Sequence, residues 1–458
     1  MTSMPGLALQ AGALHALEQP VADFSDTPLW MSFIKALMIF VYLLLQVVVV
    51  IWAERRVLGF MQQRPGPNRF GPLGVLQTLA DGFKLVWKET IVPAAADKKT
   101  YYLAPIIAGS CCFIAFSVIP IGGTVEVFGF TTPLQLTDSA VSSLLVLAAA
   151  GISAYAFVLA GWSSGSPYPL LGGIRSTAQV VSYEIAMGLS LIAVFLYAGS
   201  MSTSSIVAAQ QNVWFIIPAI FSFVVYSITM VGETNRLPFD LAEGEGELVG
   251  GYHTEYAGMG FGMFFLGEYV NMFTAAGLAT TLFLGGPAAP PGIAAIGDGY
   301  FNTGWWGVLW FTIKIWLFIF YFFWLRGSLP RVRYDQFMTF GWKILIPATI
   351  LWVLAVAFLR AAQRNFLGEN TMLATTVVVA AVAVLALGAA WMWDVRRAEQ
   401  TQRQTPPAEI DPFAGGYPVP PLPGQRLREP ARTSTPDPSL TAGTRGTETP
   451  SDNPRQEA

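Results

Sequence analysis

One connection between two apolar segments carries an unusual density of carboxylates. Residues 232–257 contain one arginine, Arg236, and no lysine, although only 12% of the whole chain is charged. The acidic residues of this stretch are Glu233, Asp240, Glu243, Glu245, Glu247 and Glu255. Its glycines and Pro238 disfavour one long helix, so the stretch is predicted to fold back as a shaped loop, called the acidic loop below. Crowded carboxylates in a poorly solvated site do not all ionise near neutral pH, and groups held in that state can transfer protons.

Three further ionisable residues lie inside apolar segments: Glu184, Glu268 and Lys314. At 1.5 Å per residue, Glu184 is about 9 Å and Glu268 about 15 Å from the start of its helix, and Lys314 is similarly deep. Such groups are costly in a bilayer unless they are paired or hydrated. The functional interpretation is a hydrophilic proton path that the acidic loop continues. The structural alternatives are a Lys–Glu pair that locks two helices together and a solvated acidic surface.

Redox and metal chemistry have few candidate residues in this chain. The only cysteines, Cys111 and Cys112, are adjacent inside an apolar segment, and the only histidines are His15 and His253. This spacing suits neither a disulfide framework nor an iron–sulfur, haem or other metal site. We therefore expect no cofactor bound covalently or through metal ligands. If the protein takes part in redox chemistry, the electron carriers belong to other proteins.

The composition places the chain in a membrane. Of its 458 residues, 53% are hydrophobic, and the charged fraction is about half of the 25% or so that is typical of soluble proteins. Apolar runs near the roughly 20 residues that span a bilayer predict nine helices and an all-α, polytopic fold. The predicted spans are 30–53, 102–121, 141–161, 178–199, 212–231, 258–284, 305–326, 342–361 and 372–393.

The distribution of basic residues predicts the orientation of these spans. Residues 54–100 contain eight Lys and Arg, whereas the loops 122–140, 200–211 and 285–304 contain none. The positive-inside rule therefore places residues 54–100 and the acidic loop in the cytoplasm. It makes residues 1–29 an external leader and residues 396–458 a cytoplasmic tail. The composition of the tail predicts disorder. The exceptions to the rule are Arg360 and Arg364, which fall in an external loop.

Two cytoplasmic stretches have patterns that indicate binding. Residues 73–89 have apolar residues at helical spacing and polar ones on another face, which predicts an amphipathic helix at the membrane surface. With Arg55, Arg64 and Asp81 around its apolar face, this helix suits a lipid ligand with a polar head, although it could serve only as an anchor. Residues 326–335 combine three arginines with Asp335, which suits a docking face for a cytoplasmic partner or only the positive-inside bias.

Several ordered motifs resemble the H-type membrane subunit of proton-pumping NADH:quinone oxidoreductase, respiratory complex I. The longest is the acidic loop, Glu-Thr-Asn-Arg-x-Pro-Phe-Asp-Leu-Ala-Glu-Gly-Glu-x-Glu-Leu-Val. The others are Glu54-Arg-Arg-Val-Leu-Gly, Arg64-x-Gly-Pro-Asn, Leu79-Ala-Asp-Gly-Phe-Lys-Leu, Ser182-Tyr-Glu, Glu255-Tyr-Ala, Glu268-Tyr and Pro330-Arg-x-Arg-Tyr-Asp-Gln. The similarity covers the transmembrane domain, about residues 30–395. The leader and the tail depart from the family pattern.

The resemblance implies a function and a set of partners. In this family the first and sixth spans, the amphipathic helix and the acidic loop enclose a tunnel by which quinone reaches the terminal iron–sulfur cluster of the hydrophilic subunits. Flavin and iron–sulfur clusters then belong to partner subunits, and quinone is the substrate. The partners are the other subunits of complex I and the lipid bilayer, with no nucleic acid. The location is the inner (plasma) membrane of a bacterial-type cell, with the N-terminus outside and the C-terminus in the cytoplasm.

The resemblance also assigns roles to individual residues. It places Arg55, Arg64, Asp81, Arg326 and Arg331 near the quinone tunnel. It places Glu184, Glu233, Asp240, Glu243, Glu245, Glu247, Glu255, Glu268 and Lys314 on the proton-coupling path. Partner docking is predicted for Arg236, Arg333 and Asp335.

Two other functions remain open from the sequence. A stand-alone ion or proton transporter also has carboxylates near the middle of the membrane and a broken loop, but the sequence has no inverted repeat. The related membrane subunit of an energy-converting hydrogenase would share parts of the fold without a quinone tunnel. The redox sites of the neighbouring subunits would separate these alternatives.

Overall fold

A computed structural model describes most of the membrane domain. The described residues are 21–24, 27–127, 129–211, 213–241, 248–294 and 300–362, with five more at 409–410, 423 and 426–427. The chain divides into two units, Met1–Leu387 and Gly388–Ala458. The described residues of the second unit include one short parallel pair, β3 (Glu409–Ile410) with β4 (Arg426–Leu427). Most of the predicted disordered tail, 396–458, and the ninth predicted span, 372–393, lie outside the described residues.

The first unit is helical, as the sequence predicted. Its helices are α1 (Leu29–Met61), α2 (Leu76–Trp87), α3 (Lys98–Phe116), α4 (Ser142–Ser163), α5 (Pro167–Ala198), α6 (Thr203–Ala209), α7 (Ile220–Glu233), α8 (Gly258–Phe283), α9 (Pro291–Ala294), α10 (Trp306–Ser328), α11 (Tyr334–Phe340) and α12 (Ile346–Ala362). A π-helical turn, Gly341–Leu345, joins α11 to α12. Within the described part of the chain, six helices are long and apolar enough to cross a membrane: α1, α3, α4, α5, α10 and the run 334–361. Helices α7 and α8 lie at two more of the predicted spans.

Helix α1 is longer than the sequence predicted. It has 33 residues and continues to Met61, whereas the prediction ended it at residue 53. The charged residues that follow mark the edge of the bilayer, but Glu, Arg, Leu and Met all favour a helix, so the backbone does not stop there. At 1.5 Å per residue the helix is about 50 Å long, which exceeds a hydrocarbon core of about 30 Å. Glu54 and Arg55 therefore lie on a rigid helix rather than on a loop.

The predicted amphipathic helix is present as α2, after a short 3₁₀ turn at Pro72–Gly74. Leu79, Phe83 and Val86 of this helix are exposed. The hydrophobic core of the unit lies between the longer helices, where Tyr183 and Phe273 are fully buried. Tyr183 of α5 stacks on Phe337 of α11 with ring centroids 4.0 Å apart. Its hydroxyl donates to the carbonyl oxygen of Phe337 at 2.9 Å, so α5 is fixed against α11.

The predicted external loop 122–140 contains a β-hairpin that the sequence did not predict. Strand β1 (Thr124–Val127) pairs with β2 (Phe130–Pro133) in antiparallel register. After the hairpin, Asp138 accepts hydrogen bonds from Ser142 at 2.6 Å and from Ser202 at 2.7 Å. These bonds connect the loop to the N-terminal ends of α4 and α6.

Arg360, an exception to the positive-inside rule, binds the C-terminal end of α5. Its guanidinium donates to the carbonyl oxygens of Leu196 at 3.1 Å and Tyr197 at 2.9 Å. The last carbonyls of a helix carry partial negative charge and have no partner within the helix. This local interaction accounts for a cation on the side that was predicted to be external.

The two ends of α1 provide a test of the topology. Trp30, at its start, contacts Phe130 of the hairpin with ring centroids 6.0 Å apart, so the hairpin lies at the start of α1 and Gln62 follows the opposite end. We expect a membrane-impermeant maleimide to label Gln62→Cys only from the cytoplasmic side and Ser139→Cys only from outside. Both positions are exposed, whereas the native Cys111 and Cys112 are buried. Labelling of both variants from one side would contradict this topology.

Candidate functional site

A cavity of about 810 Å³ lies near the C-terminal end of α1. It is bounded by α1, α8, α10, the start of α2, Arg236 and the segment 64–70. Pockets that bind small molecules commonly have volumes of about 300 to 1,000 Å³. The residues that line it are Ile51, Glu54, Arg55, Leu58, Arg64, Pro65, Gly66, Pro67, Asn68, Arg69, Phe70, Gln77, Arg236, Phe265, Glu268, Tyr269 and Arg326. The structure therefore brings the predicted tunnel residues Arg55, Arg64 and Arg326 to one cavity.

The buried carboxylate of Glu54 joins three separate elements at this cavity. It forms an ion pair with Arg326 at the end of α10. It accepts a hydrogen bond of 2.7 Å from the hydroxyl of Tyr269 on α8. It also lies 3.7 Å from the guanidinium of Arg236, which follows α7. Because α1 continues past residue 53, this carboxylate is held at a fixed position.

Arg236 lies between two carboxylates inside the protein. Its side chain is 12% exposed, and its Nε is 3.3 Å from Oε1 of Glu268. Its guanidinium lies over the ring of Tyr269 at 4.2 Å. Burial by itself lowers the pKa of Arg236, but Glu268, Tyr269 and Glu54 together hold that pKa well above its ordinary value. Arg236 is thus a fixed positive charge of the cavity. The sequence had grouped it with the docking residues.

The network contains two acidic and two basic groups, and the charges balance. Glu54 and Glu268 face Arg236 and Arg326, so neither sign is left in excess when all four are ionised. A buried charge without a partner is costly, whereas a paired one is tolerated. A proton bound or released at this cluster therefore changes the balance of the whole network.

A second cavity of about 370 Å³ lies between α1, α2 and α8. Apolar side chains dominate its lining, among them Val47, Leu79, Phe83 and Val86. Ile51, Arg55 and Phe265 line both cavities, so the two spaces are adjacent. Asp81 faces the apolar cavity and binds Arg55 at 2.7 Å. Because both side chains are more than a third exposed, this ion pair stabilises the structure by about 1 kcal/mol at most.

Two predicted carboxylates lie deeper, on α5 and α7. Glu233 is 6% exposed, and its Oε2 has no hydrogen-bond partner within the described part of the chain. Glu184 is half-buried and interacts electrostatically with Glu233. Since like charges repel in a poorly solvated site, a proton on one of the two relieves that repulsion. Glu184 and Glu233 thus interact with each other, and neither residue lines the larger cavity.

The described parts of the acidic loop are tied to neighbouring elements. Arg331 donates to Asp240 at 3.1 Å, and the amide of Val332 donates to the carbonyl oxygen of Pro238 at 3.1 Å. The hydroxyl of Tyr101 donates to the carbonyl oxygen of Glu255 at 2.8 Å. Glu243, Glu245 and Glu247 lie outside the described residues. Arg331 is absent from the described lining of both cavities.

His253 is a partly buried titratable group that the sequence analysis considered only as a metal ligand. Burial lowers its pKa to about 4, although the nearby carboxylate of Asp240 opposes that shift. The imidazole is therefore neutral at pH 7. Its place among the acidic residues of the loop was the signal that sequence reasoning passed over.

Lys314, which the resemblance places on the proton-coupling path, binds backbone carbonyl oxygens. Its ammonium group donates to the carbonyl oxygens of Leu284 at 2.6 Å, Gly286 at 2.9 Å and Ala288 at 2.6 Å. It also lies 4.5 Å from the ring of Trp214. These carbonyls follow the C-terminal end of α8. A Lys–Glu pair with Glu268 is not present among the described contacts, since Glu268 is bound by Arg236.

The remaining docking residues are exposed. Arg333 and Asp335 form a 3.7 Å ion pair with side chains 78% and 79% exposed. The residues that the prediction missed are Glu54 and Tyr269, which are central to the charged network. Glu54 begins the motif Glu54-Arg-Arg-Val-Leu-Gly, and Tyr269 belongs to the motif Glu268-Tyr. A prediction that continued α1 past residue 53 would have placed Glu54 on the helix that reaches the cavity.

A comparison with protein families matches most of the chain to one family. A family model described as NADH dehydrogenase matches residues 34–357, more than two thirds of the chain. The matched segment contains every residue of the charged network. It also contains both cavities.

Removing the central cation tests the charge balance of the network. We expect Arg236→Met to destabilise the subunit by about 3 to 5 kcal/mol, because it leaves buried carboxylates without their partner. Arg236→Lys keeps the charge and should retain more of the subunit in the membrane. The amount of assembled subunit on a native gel measures the effect. Lys99→Met, which removes an exposed cation that has no role in the network or the docking face, is the matched control. Equal amounts in all three variants would contradict the role assigned to Arg236.

The low pKa of His253 predicts a pH dependence of stability. An imidazole has a pKa of about 6.5 in an unfolded chain, above its value in the folded protein. The stabilising effect is therefore complete above pH 6.5 and is lost as the pH falls towards 4. Between pH 7 and pH 5 the loss is about 2 kcal/mol. We expect the Tm of wild type to fall further over this interval than that of His253→Gln. Equal shifts would show that His253 does not titrate as described.

Proposed function

Since the chain belongs to the NADH dehydrogenase family as a membrane subunit of complex I, we propose that it forms the quinone-access tunnel with the hydrophilic subunits. We further propose that it couples quinone reduction to proton translocation. The observation that supports this proposal is that an apolar cavity and a charged cavity lie next to each other. An apolar cavity between α1, α2 and α8 adjoins a larger cavity with a charged network.

The two cavities match the two parts of a quinone. An isoprenoid tail is apolar and fits a space lined by Val47, Leu79 and Phe83. A quinone ring carries two carbonyl oxygens that accept hydrogen bonds, and the larger cavity presents Arg64, Tyr269 and Arg326. The Arg55–Asp81 pair lies at the boundary and is partly solvated, so its opening costs little free energy. Ubiquinone and menaquinone share these features.

The reaction needs electrons that this chain does not supply. Quinone takes up two electrons and two protons to form quinol, and we assign the electrons to flavin and iron–sulfur clusters in partner subunits. The complex is then a proton-translocating oxidoreductase, and this chain carries no redox centre of its own. Arg331, Arg333 and Asp335 are the proposed docking face for the hydrophilic subunits.

Proton coupling is assigned to the carboxylates. Glu268 lies at the charged network, and Glu233 with Glu184 forms the deeper pair. A change of charge at the quinone would alter the balance between Arg236 and its two carboxylates, and so favour uptake or release of a proton at Glu268. The acidic loop residues, including Asp240 and Glu255, extend this path on the cytoplasmic side. We place the protein in a bacterial-type plasma membrane with its N-terminus outside and its C-terminus in the cytoplasm.

Neutral variants of the carboxylates test the coupling. Glu184→Gln and Glu268→Gln keep the volume of the side chain but cannot titrate, so we expect assembled complexes that lose quinone-coupled proton pumping. NADH oxidation by a soluble artificial acceptor should persist, because electrons enter through other subunits. Pumping in membrane vesicles and assembly on a native gel are the measurements. Glu126→Gln is the control, since this carboxylate is exposed and lies outside the proposed path and docking face. Full pumping in both assembled Gln variants would contradict the path.

Extraction of bound quinone tests the ligand itself. Purified complex should contain quinone, and a photoreactive quinone should label residues of the larger cavity. A hydrogenase subunit or a stand-alone transporter would contain none. Labelling confined to a different part of the protein would overturn the assignment of the cavity.

A further inference from the structure

The amphipathic helix α2 is tethered to α1 through one backbone carbonyl. The indole Nε1 of Trp52 donates to the carbonyl oxygen of Leu73 at 2.9 Å. Nη1 of Arg56 donates to the same oxygen at 3.0 Å. Trp52 and Arg56 are four residues apart on α1 and therefore lie on one face of that helix. Leu73 stands three residues before α2, so this acceptor fixes the point where α2 begins.

The donors of this contact are held rigidly. The guanidinium of Arg56 lies 5.5 Å from the ring of Trp52 and 5.4 Å from the ring of Phe60. These rings are one helical turn before and one turn after the arginine, and each attracts a cation through its face. Arg56 is thereby ordered before it donates its hydrogen bond. Little conformational entropy is then lost in forming the contact.

The acceptor is held in an uncommon backbone conformation. Leu73 has φ 55° and ψ 16°, in the left-handed region that residues other than glycine rarely adopt. Its side chain is 62% exposed, so packing of that side chain does not compensate for the strain. Such conformations persist where the surroundings over-determine them. The two hydrogen bonds to its carbonyl provide that constraint.

The segment before α2 packs directly on the same part of α1. A Cβ atom at Gly66 would lie 2.7 Å from the Cα of Arg56, which only a glycine permits. Gly74 has φ +85°, and a Cβ there would lie 2.3 Å from the carbonyl oxygen of Pro67. The turn is thus folded against α1 with no space for rearrangement. We call Trp52, Arg56 and the carbonyl of Leu73 the clamp. The clamp joins α1 to this closely packed turn.

The clamp sets the separation of the two walls of the apolar cavity. Val47 and Ile51 of α1 form one wall, and Leu79 and Phe83 of α2 form another. The Arg55–Asp81 ion pair also joins these helices, and it is partly exposed, as the two hydrogen bonds of the clamp are. We propose that the clamp fixes the width of this opening and so determines selectivity for the tail of the quinone. The selectivity, though not the clamp, rests on the proposed function above.

Tail length is the property that the clamp should affect. Trp52 and Arg56 are absent from the described lining of the larger cavity, where the ring of the quinone would bind. When the clamp is weakened, α2 samples more positions and the apolar cavity loses its shape. Binding of a long tail should weaken, while binding of the ring should not.

Kinetics with two quinones test this selectivity. Wild-type complex and the Trp52→Phe/Arg56→Met variant are reconstituted in liposomes and supplied with one head group carrying a short alkyl or a long polyprenyl tail. We expect the ratio of kcat/KM for long over short tails to fall about fivefold, which is less than the loss of two hydrogen bonds would give if all of it affected tail binding. Trp52→Phe alone should lower this ratio by a smaller factor. It replaces the double variant in the assay if the double variant does not assemble. Trp30→Phe, the same change at the other end of α1, should leave the ratio unchanged.

A distance measurement tests the clamp without any quinone. Nitroxide labels at Val49→Cys on α1 and Ala80→Cys on α2 report the separation of the helices by pulsed electron paramagnetic resonance. Both positions are exposed, and native Cys111 and Cys112 are buried. We expect a narrow distance distribution in wild type and a broader one in Trp52→Phe/Arg56→Met and in Trp52→Phe.

The outcomes separate the two proposals. An unchanged distance distribution in folded variants would overturn the clamp. A broadened distribution with an unchanged long-to-short ratio would overturn its role in selectivity. Wild-type complex that oxidises NADH with an artificial acceptor but reduces neither quinone would overturn the proposed function, while the label distances would still decide the clamp.

Discussion

The packing of the membrane domain depends on one buried cation that binds two carboxylates. Arg236 lies between Glu54 and Glu268, and through them it connects the segment after α7 with α1 and α8. Arg326 adds α10 through its ion pair with Glu54. Desolvation makes each of these charges unfavourable alone, so the four elements must meet with their charges matched. This requirement places charged groups on the wall of a cavity that α1, α8, α10 and the segment 64–70 form together.

Much of this architecture could be predicted from the sequence, because the bilayer imposes simple rules. Length and hydropathy located the membrane helices, and apolar spacing located α2. The end of α1 was predicted too early, since charge marks the bilayer surface and not the end of a helix. The β-hairpin at 124–133 was missed because short external strands have no strong pattern.

Residue types identified the candidate site better than they identified its contacts. Arg55 binds Asp81 and Glu184 interacts with Glu233, but the roles predicted for these residues did not specify either contact. The partner of Glu268 was not predictable, because Lys314 and Arg236 are equally plausible cations in one dimension. The fold decides between them: Lys314 reaches the carbonyls after α8, and Arg236 reaches the cavity.

The contacts of Leu73, Lys314 and Arg360 have a common consequence for sequence variation. In each, a charged or polar side chain binds backbone carbonyl oxygens, which every residue type provides. Mutation is therefore constrained only at the donor residues. The acceptor positions can change residue type as long as the conformation of the backbone is unchanged. Pairs of co-varying positions would not arise from such contacts. In a set of related sequences, each contact that holds α2, α8 or α5 would accordingly be visible only as an invariant donor, a cation or an indole, with no constraint on the residue type of the acceptor.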